Sequence, residues 1–314
     1  MRTSVSVASS YPQATDPRQA VTHLIERVEV AEDAGFDGLY LGDHHATATP
    51  YLQNVPMLAR ALAVWGARPV GALFLLPLWP PVLLAEQVAT LASMTRGRFV
   101  LQCAVGGGER QFAAMGVPLR RRARLFEDHL DVVRRLLVGE ASAAPGGGGS
   151  NDATISPTAP EPVEVWIGAH TPPAIDRAAR LGDAWYAAPR HPVAELEGLM
   201  AVYRQACARH GTRPRCAPVR RDVHVAADDA EARRVRESVR RSGHRGFDPS
   251  SVIVGVHDEV VAAFDELASL GFDEVVCRQL APDQPDALAS LQRLGEVRRA
   301  ATQLTPTPWP GGGA

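Results

Sequence analysis

Three short stretches of this 314-residue chain hold residues whose types and spacing can do chemistry. Gly42-Asp43-His44-His45 sets an acid beside two imidazoles, which titrate near neutrality and serve as general acid or base. From position alone, a proton-handling site and a plain polar rim are equally good readings of His44 and His45. No metal site is expected there, because neighbours on an extended chain point to opposite faces and converge poorly on one ion. Cys103-Ala104-Val105-Gly106-Gly107-Gly108-Glu109 carries a glycine run that lets a flat ligand or a phosphate approach the backbone. It is not the dinucleotide fingerprint, since Gln111 stands where G-x-G-x-x-G needs its third glycine. Cys103 by itself reads as a small core residue. Gly168-Ala169-His170-Thr171-Pro172-Pro173 opens a helical stretch through Ile175 and Ala178. There Thr171 can cap the helix, and its free N–H groups and dipole can receive a phosphate; plain capping is the competing reading.

Two further features are weaker. Arg120-Arg121-Arg122-Ala123-Arg124 reads as a solvated helix entrance rather than a contact for an anionic substrate. Trp79, behind Pro77, either leans over a pocket or simply packs.

Composition removes whole classes of function. Basic and acidic residues number 33 and 35, for a net charge of −2, so neither nucleic acid nor an anionic membrane is an expected partner. Every basic residue is arginine, which excludes Schiff-base chemistry, pyridoxal-phosphate enzymes and a Walker-type phosphate loop. Cys103, Cys207, Cys216 and Cys277 form no C-x-x-C pair, which argues against a zinc site or disulfide scaffold and fits a reducing cytoplasm. The N-terminus lacks the build of a signal peptide, and Pro69 to Ala85 is broken by four prolines, so no spanning helix is expected. The expected location is cytoplasmic.

The elements that must position these residues follow from periodicity. Strands are expected near Ser4–Ala8, Leu39–Leu41, Val70–Leu76, Phe99–Ala104, Val163–Ile167, Ala184–Tyr186, Asp222–Ala226 and Glu274–Arg278. Helical spacing between them includes Val21, Leu24, Ile25 and Val28, and later Val260, Phe264 and Leu267. Ala34-Gly35-Phe36-Asp37, Leu270-Gly271-Phe272-Asp273 and the looser Leu181-Gly182-Asp183 repeat one junction, a helix ended by a left-handed glycine that feeds a strand. Apolar runs too continuous to alternate imply a parallel sheet under helices, and about eight units favour a (β/α)8 TIM barrel. One barrel over 1–304 is expected, with a Gly/Pro-rich loop at 141–162, a lid or a bland surface loop, and a disordered tail at 305–314. In such a barrel, function collects on the loops after the strand C-termini.

In order and spacing, these pieces resemble the bacterial luciferase-like flavin oxidoreductases over roughly residues 2–300. The similarity is carried by Ala31-Glu32-Asp33-Ala34-Gly35-Phe36-Asp37 into Leu41-Gly42-Asp43-His44-His45, and by Val70-Gly71 through Leu76-Pro77 to Ala85-Glu86. Thr95-Arg96-Gly97-Arg98-Phe99, Met115-Gly116-Val117-Pro118, Val165-Trp166-Ile167-Gly168 and Leu270-Gly271-Phe272-Asp273 extend it. The resemblance implies a luciferase-like barrel binding FMN, or the deazaflavin coenzyme F420, at the strand C-terminal face. It implies a ring against strand three near Ala72, Leu73 and Phe74, over a non-proline cis peptide, with Cys103 lining it. It implies a phosphate at Ala169, His170 and Thr171, and a proton handled by His44 or His45, with His44 nearest the ring. His170 and the short segment after strand four depart from the family pattern, and Asp43-His44-His45 falls between its FMN and deazaflavin subgroups. The implied activity is a monooxygenase that uses reduced FMN from a separate flavin reductase and O2 on a small-molecule substrate, with specialised metabolism as the expected setting. The alternatives are a deazaflavin-dependent reductase or dehydrogenase, or a non-catalytic flavin-binding subunit; a homodimer is expected.

Overall fold

The computed structural model describes residues 1–142, 152–243, 247–280 and 283–309. Nine strands form one sheet: β1 (Arg2–Val7), β2 (Leu39–Leu41), β3 (Val70–Leu75), β4 (Phe99–Ala104), β5 (Glu164–Ala169), β6 (Ala184–Ala187), β7 (Pro218–Val225), β8 (Ile253–Gly255) and β9 (Glu274–Gln279). Their order is β6-β5-β4-β3-β2-β1-β9-β7-β8, and β6 also pairs with β7. Eight strands therefore close into a parallel barrel, and β8 is a ninth strand attached to β7. This is the expected (β/α)8 architecture. All eight expected strands are present, with ends shifted by a few residues; β8, only three residues long, is the addition.

Two compact units share the chain. Met1–Ala8, His23–Leu39 and Trp166–Ala314 form the first; Ser9–Thr22 and Tyr40–Val165 form the second. In the first, β9 runs parallel to β1 from Arg2↔Glu274 to Val5↔Cys277, and to β7 from Pro218↔Glu274 to Val223↔Gln279. Trp185 is buried between Tyr203 and Phe272, with ring centroids 5.3 and 5.9 Å away, and its indole N–H donates to the Ala169 carbonyl at 3.0 Å. Gly35 and Gly271 adopt the left-handed backbone expected of the repeated junction. Gly182 does not: its φ is −99°, and a Cβ there would press on the Ala178 and Ala184 carbonyls, so close approach rather than handedness requires glycine.

In the second unit, β3 and β4 keep one register from Val70↔Phe99 to Leu75↔Ala104. Helices α1 (Pro17–Asp33) and α2 (Asn54–Ala61) come before α3 (Pro81–Met94) in the chain, with α4 (Glu109–Ala114) between α3 and α5 (Arg122–Leu137). Helices α3 and α5 pack together, and α5 buries Phe126, Leu130, Val133 and Leu137 at helical spacing. The short helix α4 (Glu109–Ala114) follows the glycine run.

Of the expected mobile loop, residues 143–151 lie outside the described residues; its flanks are joined by an antiparallel bridge between Ser142 and Ala153. The tail, expected to be disordered from 305, is packed as far as Trp309. Thr307 donates from its N–H to Ala268 and from its hydroxyl to Ser269, and Trp309 lies 5.5 Å from the Tyr203 ring. An aromatic ring and two hydrogen bonds outweigh the local proline content there. Residues 310–314 lie outside the described residues. Among those described, no helix is long and apolar enough to cross a membrane.

Candidate active site

The second unit gathers chemistry around one carboxylate. Strand β2 ends at Leu41, so Asp43, His44 and His45 stand on the following loop, at the C-terminal end of a barrel strand. Asp43 is fully buried. Its Oδ2 accepts the Leu75 backbone N–H at 2.8 Å and the Trp79 indole N–H at 2.9 Å. Its Oδ1 lies 3.2 Å from Nε2 of His45, whose side chain is 13% exposed. Neither of these two atoms has another hydrogen-bond partner, and the pair is close but not aligned as a hydrogen bond. Trp79 also meets the rings of Phe74 and His45 at 5.2 and 5.6 Å. It is thus a wall of this cluster rather than general packing.

His44 takes a different place. Its ring is exposed and meets Tyr51 edge-on at 5.4 Å, and its carbonyl accepts from Gln53. Of the pair, it is the second histidine that faces the carboxylate, whereas the resemblance puts His44 nearest the ring.

Strands β3 and β4 sort the expected ring-contacting residues onto two faces. In a parallel pair, residues in register share a face, so Leu73 goes with Gln102, and Phe74 with Cys103. Ala72, Phe74 and Cys103 are completely buried, whereas Leu73 is partly exposed. Burial pushes the Cys103 thiol well above its usual range, so it is an inert core thiol. The residue that shares the face of Leu73 is Gln102, 2% exposed, with its side-chain N–H group buried and unpartnered. Nothing in the sequence singled it out beyond a polar side chain inside an apolar strand. The cis peptide implied near Ala72-Leu73-Phe74 is absent; among the described residues the cis bond is Ser156–Pro157. The β3–β4 register runs unbroken through that stretch, as trans peptides allow.

The glycine run is an open turn. Gly106 and Gly108 have φ of +72° and +87°, and no atom lies within 4 Å of where a Cβ on Gly107 or Gly108 would sit. The turn therefore leaves room against its backbone for a ligand.

The first unit holds the expected phosphate turn. Helix α6 (Pro172–Leu181) starts after Thr171, but the threonine hydroxyl makes no capping bond. The reason is local: Pro172 and Pro173 have no N–H, and those of Ala174 and Ile175 already bond the Thr171 carbonyl, each at 2.9 Å. What remains for an anion is the helix dipole and nearby cationic side chains. His191 bonds the His170 carbonyl at 3.0 Å and Glu195 at 2.7 Å. Burial, with the charges of Arg190 and His191, holds the His170 imidazole below its ordinary pKa. Among the described residues, no three His, Cys, Asp or Glu side chains gather as a metal site would require.

Comparison with known proteins agrees with this layout. A family model described as luciferase-like monooxygenase matches residues 1–266. An uncharacterized protein of Mycobacterium bovis is 30% identical over 127 residues, 40% of this chain; the match spans only 43% of that relative's length. An F420-dependent glucose-6-phosphate dehydrogenase of Beutenbergia cavernae is 27% identical over 292 residues, 87% of this chain and 84% of that one. Among solved structures, the monooxygenase RslO1 of Streptomyces bottropensis gives a TM-score of 0.80 at 19% identity, over 94% of this chain and 98% of that one. The oxygenating constituent of 3,6-diketocamphane monooxygenase from Pseudomonas putida, solved with FMN, gives 0.79 at 17% identity, over 98% and 100%. At such identities the two structures speak for the fold alone.

Proposed function

This chain belongs to the luciferase-like monooxygenase family, and from that membership we propose a flavin-dependent monooxygenase that takes reduced FMN from a separate reductase. With dioxygen it would oxygenate a small organic substrate. The observation that supports this reading most is the buried Asp43 carboxylate facing the His45 imidazole at the end of a barrel strand. A carboxylate facing the buried Nε2 orients the ring and leaves the other ring nitrogen, Nδ1, to take a proton and return it. His45, rather than His44, is our choice for the proton-handling group.

The residues present fit a flavin. Gln102 offers a buried donor without a partner, which suits the carbonyl-rich edge of an isoalloxazine, and the glycine turn leaves room for a flat group. Leu73 and Gln102 would hold the ring; the resemblance gives Ala169, His170 and Thr171 as the residues for a phosphate. When bound, the flavin supplies the electrons and the reaction with dioxygen. Asp43 and Trp79 keep His45 oriented and cover one side of it with an apolar ring. The expected setting is a cytoplasmic homodimer.

A deazaflavin-dependent dehydrogenase is the second reading, supported by the Beutenbergia cavernae relative, which aligns with 87% of this chain. There His45 would take the proton released as substrate hydride leaves. Anaerobic titration with reduced FMN and with F420, each followed by absorbance, separates the two. Preference for FMN supports the monooxygenase; preference for F420 transfers the assignment to the dehydrogenase. FMN should also bind better than riboflavin, and equal affinity would remove the phosphate from the 169–171 turn.

A further inference from the structure

We infer that Gln111 is a positioning residue for His45, tying the glycine turn after β4 to the loop after β2. The inference rests on the reading of His45 as the proton-handling group. Gln111 Oε1 accepts the His45 backbone N–H at 2.9 Å, and Gln111 Nε2 donates to the Gly107 carbonyl at 2.9 Å. One planar carboxamide therefore bridges two loops that are 66 residues apart in sequence.

The bridge has a firm base. Phe112, the next residue on α4, is 1% exposed and packs with Leu75 and Leu78. Leu75 is also the residue whose N–H anchors Asp43. His45 is thus held at two points, its ring by Asp43 and its backbone by Gln111, and both supports lead back to the end of β3. The loop needs the second point. Ala46, directly after His45, has φ of +48°, a left-handed conformation that is costly for a residue with a Cβ and persists only where neighbours enforce it. An imidazole turns about bonds fixed to its own Cα, so a shift of the His45 backbone carries Nε2 out of reach of the carboxylate. At the other end, the same carboxamide fixes the Gly107 carbonyl in a turn with open space around it. A ligand that settles into the turn therefore bears on His45 through Gln111.

Two variants dissect the bridge. Gln111→Leu keeps the approximate size and removes both bonds. Gln111→Glu keeps an acceptor for the His45 N–H and removes the donor to Gly107. The readout is the His45 ring ¹⁵N signal across a pH titration of the cofactor-free folded protein, assigned by its loss in His45→Ala. Gln111→Leu should move the His45 signal of the neutral ring and its titration, whereas Gln111→Glu should leave the neutral-ring signal close to the parent and move only the titration, through its added charge. In turnover, Gln111→Leu should lose about tenfold, the factor one net hydrogen bond represents. That loss should vanish when Gln111→Leu is added to His45→Ala. An unchanged His45 titration in a folded Gln111→Leu protein overturns the inference, as does an additive loss in the double variant. Full turnover in His45→Ala, with the Gln111 effect on the spectrum intact, would instead remove only the proton-handling reading.

Discussion

Replacing Asp43 separates its structural duty from its chemical one. In Asp43→Ala, the Leu75 N–H is left buried and unpaired, and the Trp79 indole N–H loses its acceptor. An orphaned buried donor costs about 1–3 kcal/mol, and the indole, being partly exposed, costs less because water can reach it. Together the loss is about 2–4 kcal/mol, a large part of a total stability of about 5–15 kcal/mol. At a urea slope of about 3 kcal/mol/M, the midpoint falls by about 1 M. Asp43→Asn keeps one carbonyl oxygen for both donors, so its stability should fall by less than about 1.5 kcal/mol. It nevertheless loses the negative charge 3.2 Å from His45. At an effective dielectric of about 20, the Coulomb attraction across that gap is about 5 kcal/mol. Desolvation of the carboxylate offsets much of it and leaves about 1.5–3 kcal/mol, the usual worth of a charged hydrogen bond. Turnover should therefore fall about 10–100-fold. Urea unfolding and single-turnover rates on both variants check the argument. An Asp43→Asn protein as unstable as Asp43→Ala, or one that turns over at the parent rate, refutes it.

His45→Ala should lower single-turnover rates about 10²-fold with the fold intact, and His44→Ala by less than about tenfold; the reverse order would return the role to His44. Gly71→Ala should lose about 3 kcal/mol or more by urea unfolding, because a Cβ there runs into the Val100 carbonyl inside the β3–β4 pairing, where backbone cannot yield. Glu231→Gln tests acid stability. Burial works against that carboxylate, but the Ala227 N–H, His224 and Arg293 outweigh it and hold its pKa below the ordinary 4.5. Its contribution is present above that value and lost as pH falls through the lower folded-state pKa, so the variant should be less stable at neutral pH and lose less stability below pH 4.5. Burial pushes the thiols of Cys103 and Cys277 far up, and all four cysteines are buried as thiols, outside any disulfide. Iodoacetamide at neutral pH should leave the folded protein unmodified by mass spectrometry and label it fully in urea.

The strands were legible because a parallel strand buried on both sides is a continuous apolar run, and such runs end at glycine junctions that are themselves local. Leu39–Leu41 and Phe99–Ala104 match to the residue for that reason. The loops after β2, β4 and β5 could be marked as sites on the same ground. Their internal geometry could not. Alternation tells that Gln102 and Cys103 face opposite ways, but only the folded chain leaves Gln102 a buried donor without a partner and Cys103 an inert buried thiol. Thr171 has the right type for a cap, yet its proline neighbours and its own carbonyl leave its hydroxyl no donor. Asp43 becomes a hub only when Leu75 and Trp79, 32 and 36 residues away, are folded against it, and it is His45, not His44, whose ring then lies beside it. Periodicity is a property of neighbours in sequence and is written there; which polar atom finds which partner is settled by residues far apart in the chain, and only the closed sheet brings them together.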